Sequence, residues 1–274
     1  KSTFSRYVSK SVVDELMANP GALKLGGDKK ELSVFFMDLA GFTTISEKLT
    51  PEELVAFLNR YLDAMSQVIL QTGGTLDKFI GDAVMAFWGA PIAQSDHAIR
   101  ACRAALECQK AMAELAAAET GRGIKLAGRI GIASGDMIVG NIGSAEHTDF
   151  TVIGDTVNLA SRIEGANKEY GTSIMIAEGT RAAVGDAVVV RPLDLIRVKG
   201  KNKPVEVYEL VAMKDGAPAD IAAILPLFQE AVRLYRAADF QSALSKFESC
   251  MKSRPGDGPS KQNAERCAAL MKEP

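Results

Sequence analysis

Residues 31–39, ELSVFFMDL, form an apolar run of strand length that ends on a carboxylate, and no other feature limits the fold as strongly. A run this continuous belongs to a strand buried within a sheet. It ends near Asp38 and opens directly into the small and polar residues AGFTTIS. Thr50, Pro51 and Glu53 then supply an N-cap, an N1 proline and the acidic end of a capping box. They start a helix in which Leu54, Leu58, Tyr61, Leu62, Met65, Val68 and Ile69 recur at helical spacing. Gly73 and Gly74 stop it, and TLDKFIGDAVMAFWG (75–89) reads as two short strands joined by a tight turn around Ile80 and Gly81. A second helix runs from about Ser95 to Glu119. Strands follow at KLAGRIGIAS, DMIVGNIG and TDFTVIG, then a helix capped by Asp155 that ends at Gly171, then strands at SIMIA, VVVRPLDLIRV and VEVYELV. This order predicts an α+β fold of ferredoxin-like type, a mixed but mostly antiparallel sheet with its flanking helices on one face.

The chain divides into three parts. Residues 1–29 hold a short amphipathic helix (FSRYVSKSVVDELM, 4–17) and a Gly-rich linker, residues 30–213 the α+β domain, and residues 214–274 a helical extension behind the linker KDGAPAD. In that extension Phe228, Ala231, Tyr235, Ala243, Phe247 and Pro255 fall near the aromatic, alanine and proline positions of one tetratricopeptide repeat. A single repeat cannot bury both its faces, so it has to pack on the domain, on a second copy or on further chain.

The charge balance, 32 Lys and Arg against 34 Asp and Glu, gives no global positive field and so no expectation of a nucleic-acid partner. Cys102, Cys108, Cys250 and Cys267 form no CxxC pair and sit in helical stretches, as small buried thiols do, which fits a reducing compartment. No apolar run is long enough to span a bilayer.

Two carboxylates stand where chemistry is feasible. Asp38 ends a strand beside the loop Ala40, Gly41, Phe42, Thr43, whose unhindered amides can take phosphate oxygens while the carboxylate holds a cation. Taken alone, Asp38 reads as a turn cap rather than a ligand. Asp82 sits at a hairpin tip flanked by Phe79, Ile80, Val84 and Met85, where a charge is exposed or partnered. Brought together, the pair could bridge two divalent ions for in-line attack on phosphorus.

The segments FFMDLAGFT, DKFIGDAVMAFWG, RIGIASGDMIVGNIG, FTVIGDTVNLASRIE and RVKGK resemble, in order and spacing, the successive motifs of the class III adenylyl and guanylyl cyclases, over roughly residues 30–211. The resemblance implies that Asp38 and Asp82 are the metal aspartates, with the Leu39 carbonyl as an auxiliary ligand and two ions, Mg²⁺ or Mn²⁺, as cofactors. Lys78 corresponds to the lysine that meets adenine N1 in the adenylyl members. Thr151 stands at the partner position that meets the adenine 6-amino group, where most members carry Asp and a subclass carries Thr. Asn158 and Arg162, four apart on one helix face, match the transition-state pair, and Arg129 and Lys199 match cations that grip the phosphates. Gly41, Phe42 and Thr43 are implied to cradle phosphate through their amides. His97 and His147 are read as surface or core-edge residues rather than bases.

The implied reaction turns ATP into 3′,5′-cyclic AMP and pyrophosphate, by positioning and charge stabilisation. In the family each site takes Asp38, Asp82 and Arg129 from one chain and Lys78, Thr151, Asn158, Arg162 and Lys199 from the other, so a homodimer with two equivalent sites is expected. The N-terminal helix looks like the coupling segment of bacterial receptor cyclases. This leads to the expectation of an upstream sensor or membrane domain, with the catalytic portion in the cytoplasm. Guanylyl cyclase, which would prefer Glu where Lys78 stands, and a non-catalytic nucleotide sensor are the rival readings.

Overall fold

The computed structural model describes residues 26–118, 126–144, 146–196 and 204–272, so the expected N-terminal helix and Lys199 lie outside the described residues. The apolar run of 31–39 lies in β1 (Gly26–Leu39), and its alternation explains the architecture. Phe35, Met37 and Leu39 are buried on one side and Leu32 and Val34 on the other. A strand buried on both faces has layers on both. The helices therefore flank the sheet on two faces, not on the single face that the element order suggested.

On the first face lie α1 (Phe42–Ser46), α2 (Pro51–Gln71) and α3 (His97–Ala118). Phe57, Tyr61, Met65 and Ile69 of α2 meet Ala101, Cys108 and Met112 of α3 over the sheet. The expected capping box of α2 is formed in full: Glu53 N donates to Thr50 Oγ1 at 3.3 Å and Thr50 N to Glu53 Oε2 at 3.0 Å. Such a reciprocal cap contributes about 1 kcal/mol. The other strands are β2 (Thr75–Ile80), β3 (Ala83–Trp88), β4 (Gly128–Gly143), β5 (Thr148–Ile153), β6 (Ile174–Ala177), β7 (Val188–Ile196) and β8 (Val205–Met213). They form a sheet of order β2-β3-β1-β4-β6-β8-β7 in which β5 also pairs with β4. The β4–β6 pair is parallel and the other pairs antiparallel, as the expected mixed sheet requires. On the second face, α4 (Asp155–Tyr170) lays Val157, Leu159, Ala160 and Ile163 against Val34, Met137 and Val139.

Several boundaries differ from expectation. The separate strands expected within KLAGRIGIAS and DMIVGNIG are one strand, Gly128–Gly143, because Gly135, at φ 151°, bends the chain while still pairing with Leu32. The glycines before residue 31 belong to β1, paired with β4 as far as Gly26↔Asn141. Asp155 is the first helical residue, and Gly154 holds the cap position without a side-chain bond. Helices α1 and α5 (Glu178–Val184) escaped the sequence reading because five and seven residues are too short to show a helical period. The cysteines are buried free thiols, and burial pushes Cys102 and Cys108 up to about 12. Among the described residues no helix is long and apolar enough to cross a membrane.

Beyond residue 213 come α6 (Ala219–Arg236), α7 (Phe240–Ser253) and α8 (Gly258–Leu270). Phe228 and Phe247 meet edge to face at 5.4 Å within a core that includes Ala231 and Ala243. This helical unit packs on the sheet, the first of the three options the sequence left open. Arg191 of β7 is wholly buried and donates to both Asp257 carboxylate oxygens, at 2.9 and 2.8 Å, and to Glu209 of β8 at 2.7 Å. Its guanidinium also lies 4.7 Å above the Phe228 ring. Asp194 of β7 binds both Tyr170, the last residue of α4, and Arg266 of α8.

Candidate active site

The even positions of β1 put Asp38 on the face that α4 covers, directly across the ladder from Arg129 of β4. The Arg129 guanidinium donates to Asp38 Oδ2 at 3.1 Å, and its Nε faces Glu164 Oε1 of α4 at 3.3 Å. Glu164 reaches this spot because α4 lies almost on the backbone of β4. A Cβ on Gly131 would stand 2.3 Å from Ala160 O and 2.4 Å from Glu164 N. Asp82 comes from the β2–β3 hairpin. With Ile80 paired to Ala83, the turn residues are Gly81 and Asp82, one position later than expected. The turn carries Asp82 against the end of β1, where Leu39 N donates to Asp82 Oδ2 at 3.3 Å. Leu39, expected here through its carbonyl, thus meets Asp82 through its amide.

Two carboxylates, Asp38 and Glu164, flank the Arg129 guanidinium, and a third, Asp82, lies against Asp38. Burial, then the hydrogen-bonded carboxylate of Asp38, push Asp82 up to about 6. Burial, then the charge of Asp38, push Glu164 up to about 7 against the pull of Arg129. Excess negative charge beside an open loop fits a hard divalent cation, which would relieve the repulsion between Asp38 and Asp82. Among the described residues no three His, Cys, Asp or Glu side chains converge as a self-sufficient metal cage. Two carboxylates therefore leave room for substrate and water oxygens. Beside them Gly41, left-handed at φ 76°, caps α1, and Phe42 and Thr43 open that helix with first-turn amides.

A second group gathers Lys78 and Thr151, which the sequence separates by 73 positions. β5 is not a ladder neighbour of β2, yet it curls over it, with Phe150 packed on Phe87 of β3 at 6.1 Å between ring centres. What joins the two residues is Asp77, which sequence reasoning missed. The β2–β3 register slips between Leu76 and Lys78, so Asp77 is the extra residue of a bulge. A bulge re-aims a side chain, and this one buries its carboxylate to 1% exposure. Thr151 Oγ1 donates to Asp77 Oδ2 at 2.5 Å. Lys78 Nζ lies 3.3 Å from Asp77 Oδ1 and 3.3 Å from Asp149 Oδ2. Burial raises Asp77 above the usual carboxylate range, while Thr151 and Lys78 oppose the rise. The only sequence signal was an acid directly before Lys78 in a strand, where acids are scarce.

Asn158 and Arg162 are exposed on α4. At 100° per residue Arg162 lies about 200° around the helix from Glu164, so it faces away from the Asp38 cluster of its own chain. His97 is half-buried with Nδ1 2.8 Å from Ser33 Oγ, and His147 is exposed, which places them at the core edge and the surface as expected.

Comparison with known proteins adds a lineage to this geometry. The model of the adenylate and guanylate cyclase catalytic domain matches residues 27–212. Adenylate cyclase 1 of Rhizobium meliloti (strain 1021) is 38% identical over 212 residues, 77% of this chain, and the chain spans only 32% of that relative's length. Among solved structures, the adenylyl cyclase CyaB from P. aeruginosa is 40% identical with TM-score 0.63, covering 68% of this chain and 96% of its own. The guanylyl cyclase Cya2 is also 40% identical with TM-score 0.64, covering 71% and 98%.

Proposed function

The chain belongs to the adenylate and guanylate cyclase catalytic domain family, and on that premise we propose that it converts ATP into 3′,5′-cyclic AMP and pyrophosphate. Family membership leaves the base open, since an adenylyl and a guanylyl cyclase match equally well at 40% identity. The observation that carries the choice is the meeting of Lys78 and Thr151 around Asp77. An ammonium donates to N1 of adenine, which is an acceptor, whereas guanine presents N–H there and would call for a carboxylate.

Class III cyclase domains use divalent metal ions, and Asp38 and Asp82 would hold two of them, Mg²⁺ or Mn²⁺. The chemistry such ions supply is acidification of the ribose 3′-hydroxyl and neutralisation of triphosphate charge. Arg129, set between Asp38 and Glu164, releases Asp38 and turns to the phosphates when substrate arrives. The amides of Gly41, Phe42 and Thr43 take further phosphate oxygens. Lys199 joins Arg129 at the β and γ phosphates by resemblance. Arg162 stabilises charge at the α-phosphoryl group and Asn158 orients the ribose.

Because Asn158 and Arg162 point away from their own Asp38, a working site needs two copies, each lending α4 to the other's metal pair. We therefore read the active form as a homodimer with two equivalent sites. The helices beyond residue 213 act, in this reading, as a tetratricopeptide-type brace for the sheet edge rather than a peptide groove. The test is product formed from ATP and from GTP by the purified chain with Mg²⁺ or Mn²⁺. Cyclic AMP from ATP with at least tenfold less cyclic GMP from GTP is expected, and equal use of both contradicts the choice of base.

A further inference from the structure

We propose that Asp77 is a specificity-determining positioning residue, which makes Thr151 read adenine by fixing the direction of its hydroxyl hydrogen. The inference rests on the reading of Lys78 and Thr151 as base contacts and extends it to a residue that touches no substrate.

A threonine hydroxyl is ambivalent. It can accept from the 6-amino group of adenine or donate to the 6-oxo group of guanine, so alone it separates the two bases poorly. Asp77 removes the ambivalence. A carboxylate only accepts, so the 2.5 Å contact to Oδ2 commits the Thr151 hydrogen to Asp77. What Thr151 still offers to a nucleotide is lone pairs, which suit a 6-amino donor and oppose a 6-oxo acceptor. The same carboxylate faces Lys78 Nζ at 3.3 Å through Oδ1 as an ion pair; Oδ1 is buried without a hydrogen-bond partner among the described residues, and Lys78 Nζ donates to Asp149 Oδ2 at 3.3 Å. One carboxylate thus bears on both base contacts: with Asp149 its charge holds the ammonium in place, and it leaves the hydroxyl as an acceptor. It holds this position because the bulge drives it inward at 1% exposure, under β5. At so dry a position a misdirected hydrogen bond is costly, because no water steps in to satisfy the orphaned group.

The test is the ratio of kcat/KM for GTP to that for ATP, measured on the full chain. Asp77→Asn keeps the shape but can donate an N–H to Thr151, which frees the hydroxyl hydrogen for the nucleotide. The ratio is expected to rise about tenfold, mainly through loss with ATP. Thr151→Val is expected to raise it comparably, Thr151→Ser to leave it near wild type, and Asp77→Asn within Thr151→Val to add no further change. If Asp77→Asn does not fold, Asp77→Ser, which leaves Thr151 free to rotate, carries the same expectation. A role confined to stability predicts equal losses with both nucleotides, so an unchanged ratio in the Asp77 variants, with Thr151→Val still raising it, overturns the proposal and leaves the base contacts standing. An unchanged ratio in Thr151→Val overturns the base reading and the proposal together.

Discussion

Asp38 and Asp82 illustrate how much one carboxylate depends on another at the scale of a residue. Each ends or turns a strand, and both point to a face shared with Glu164, so Asp82 is pushed up to about 6 by burial and by Asp38. A group in that state gains most from a cation beside it. Asp38→Ala and Asp82→Ala are each expected to reduce cyclic AMP formation at least a hundredfold while circular dichroism and melting temperature stay near wild type, because neither removes core volume. Turnover within a few-fold of wild type for either variant contradicts the metal assignment. Lys78→Glu, with an acceptor opposed to adenine N1, is expected to lower kcat/KM for ATP more than tenfold. Steady-state kinetics with ATP check this, and unchanged values remove Lys78 from the base contact. The acids before and after these residues were not equally legible. Asp38 and Asp82 stand at the end of an apolar run and at a hairpin tip, where a charge asks for explanation. Asp77 and Glu164 look like ordinary surface positions until the bulge in β2 and the close seat of α4 on Gly131 turn them inward.

At the scale of elements, the strongly periodic pieces were readable and the register was not. The capping box and apolar stripe of α2 announce themselves because local chemistry decides them. The face covered by α4, the unbroken β4 and the turn residues at Gly81 and Asp82 depend on pairing between distant strands, which no local pattern records. The same holds for the helical extension. Its repeat-like aromatic and alanine positions were visible, but its partner, the buried Arg191, lies in a strand that reads as ordinary. Asp257 serves there twice, capping α8 through Ser260 N at 3.1 Å and neutralising Arg191. Asp257→Ala is expected to cost about 3–5 kcal/mol, as removal of one partner from a buried ion pair does. Asp239→Ala, which removes only the cap of α7, is expected to cost about 1 kcal/mol. Urea unfolding of the two variants side by side measures the difference, and equal costs contradict the buried-pair account.

The whole molecule is organised around one sheet whose two ends carry different duties. The β7–β8 end is clamped by α6 and α8, and Asp194 there also holds Tyr170 at the end of α4. Toward the other end, β1, β4 and the β2–β3 turn bear Asp38, Arg129 and Asp82, and α4 crosses between the two regions with Glu164 inward and Asn158 and Arg162 outward. A helix cannot turn both faces to one site, so the claim on which the account stands is that two chains complete each other. Mixing Asp38→Ala chains with Arg162→Ala chains measures it directly. Each variant alone is expected to be nearly inactive. In a mixed dimer one site carries both defects and the other carries none. With free exchange about half the dimers are mixed, each with one intact site, so cyclic AMP formation is expected to return to roughly a quarter of wild type. Confirmed subunit exchange with no return of activity would mean that each site lies within one chain, and would contradict the shared site.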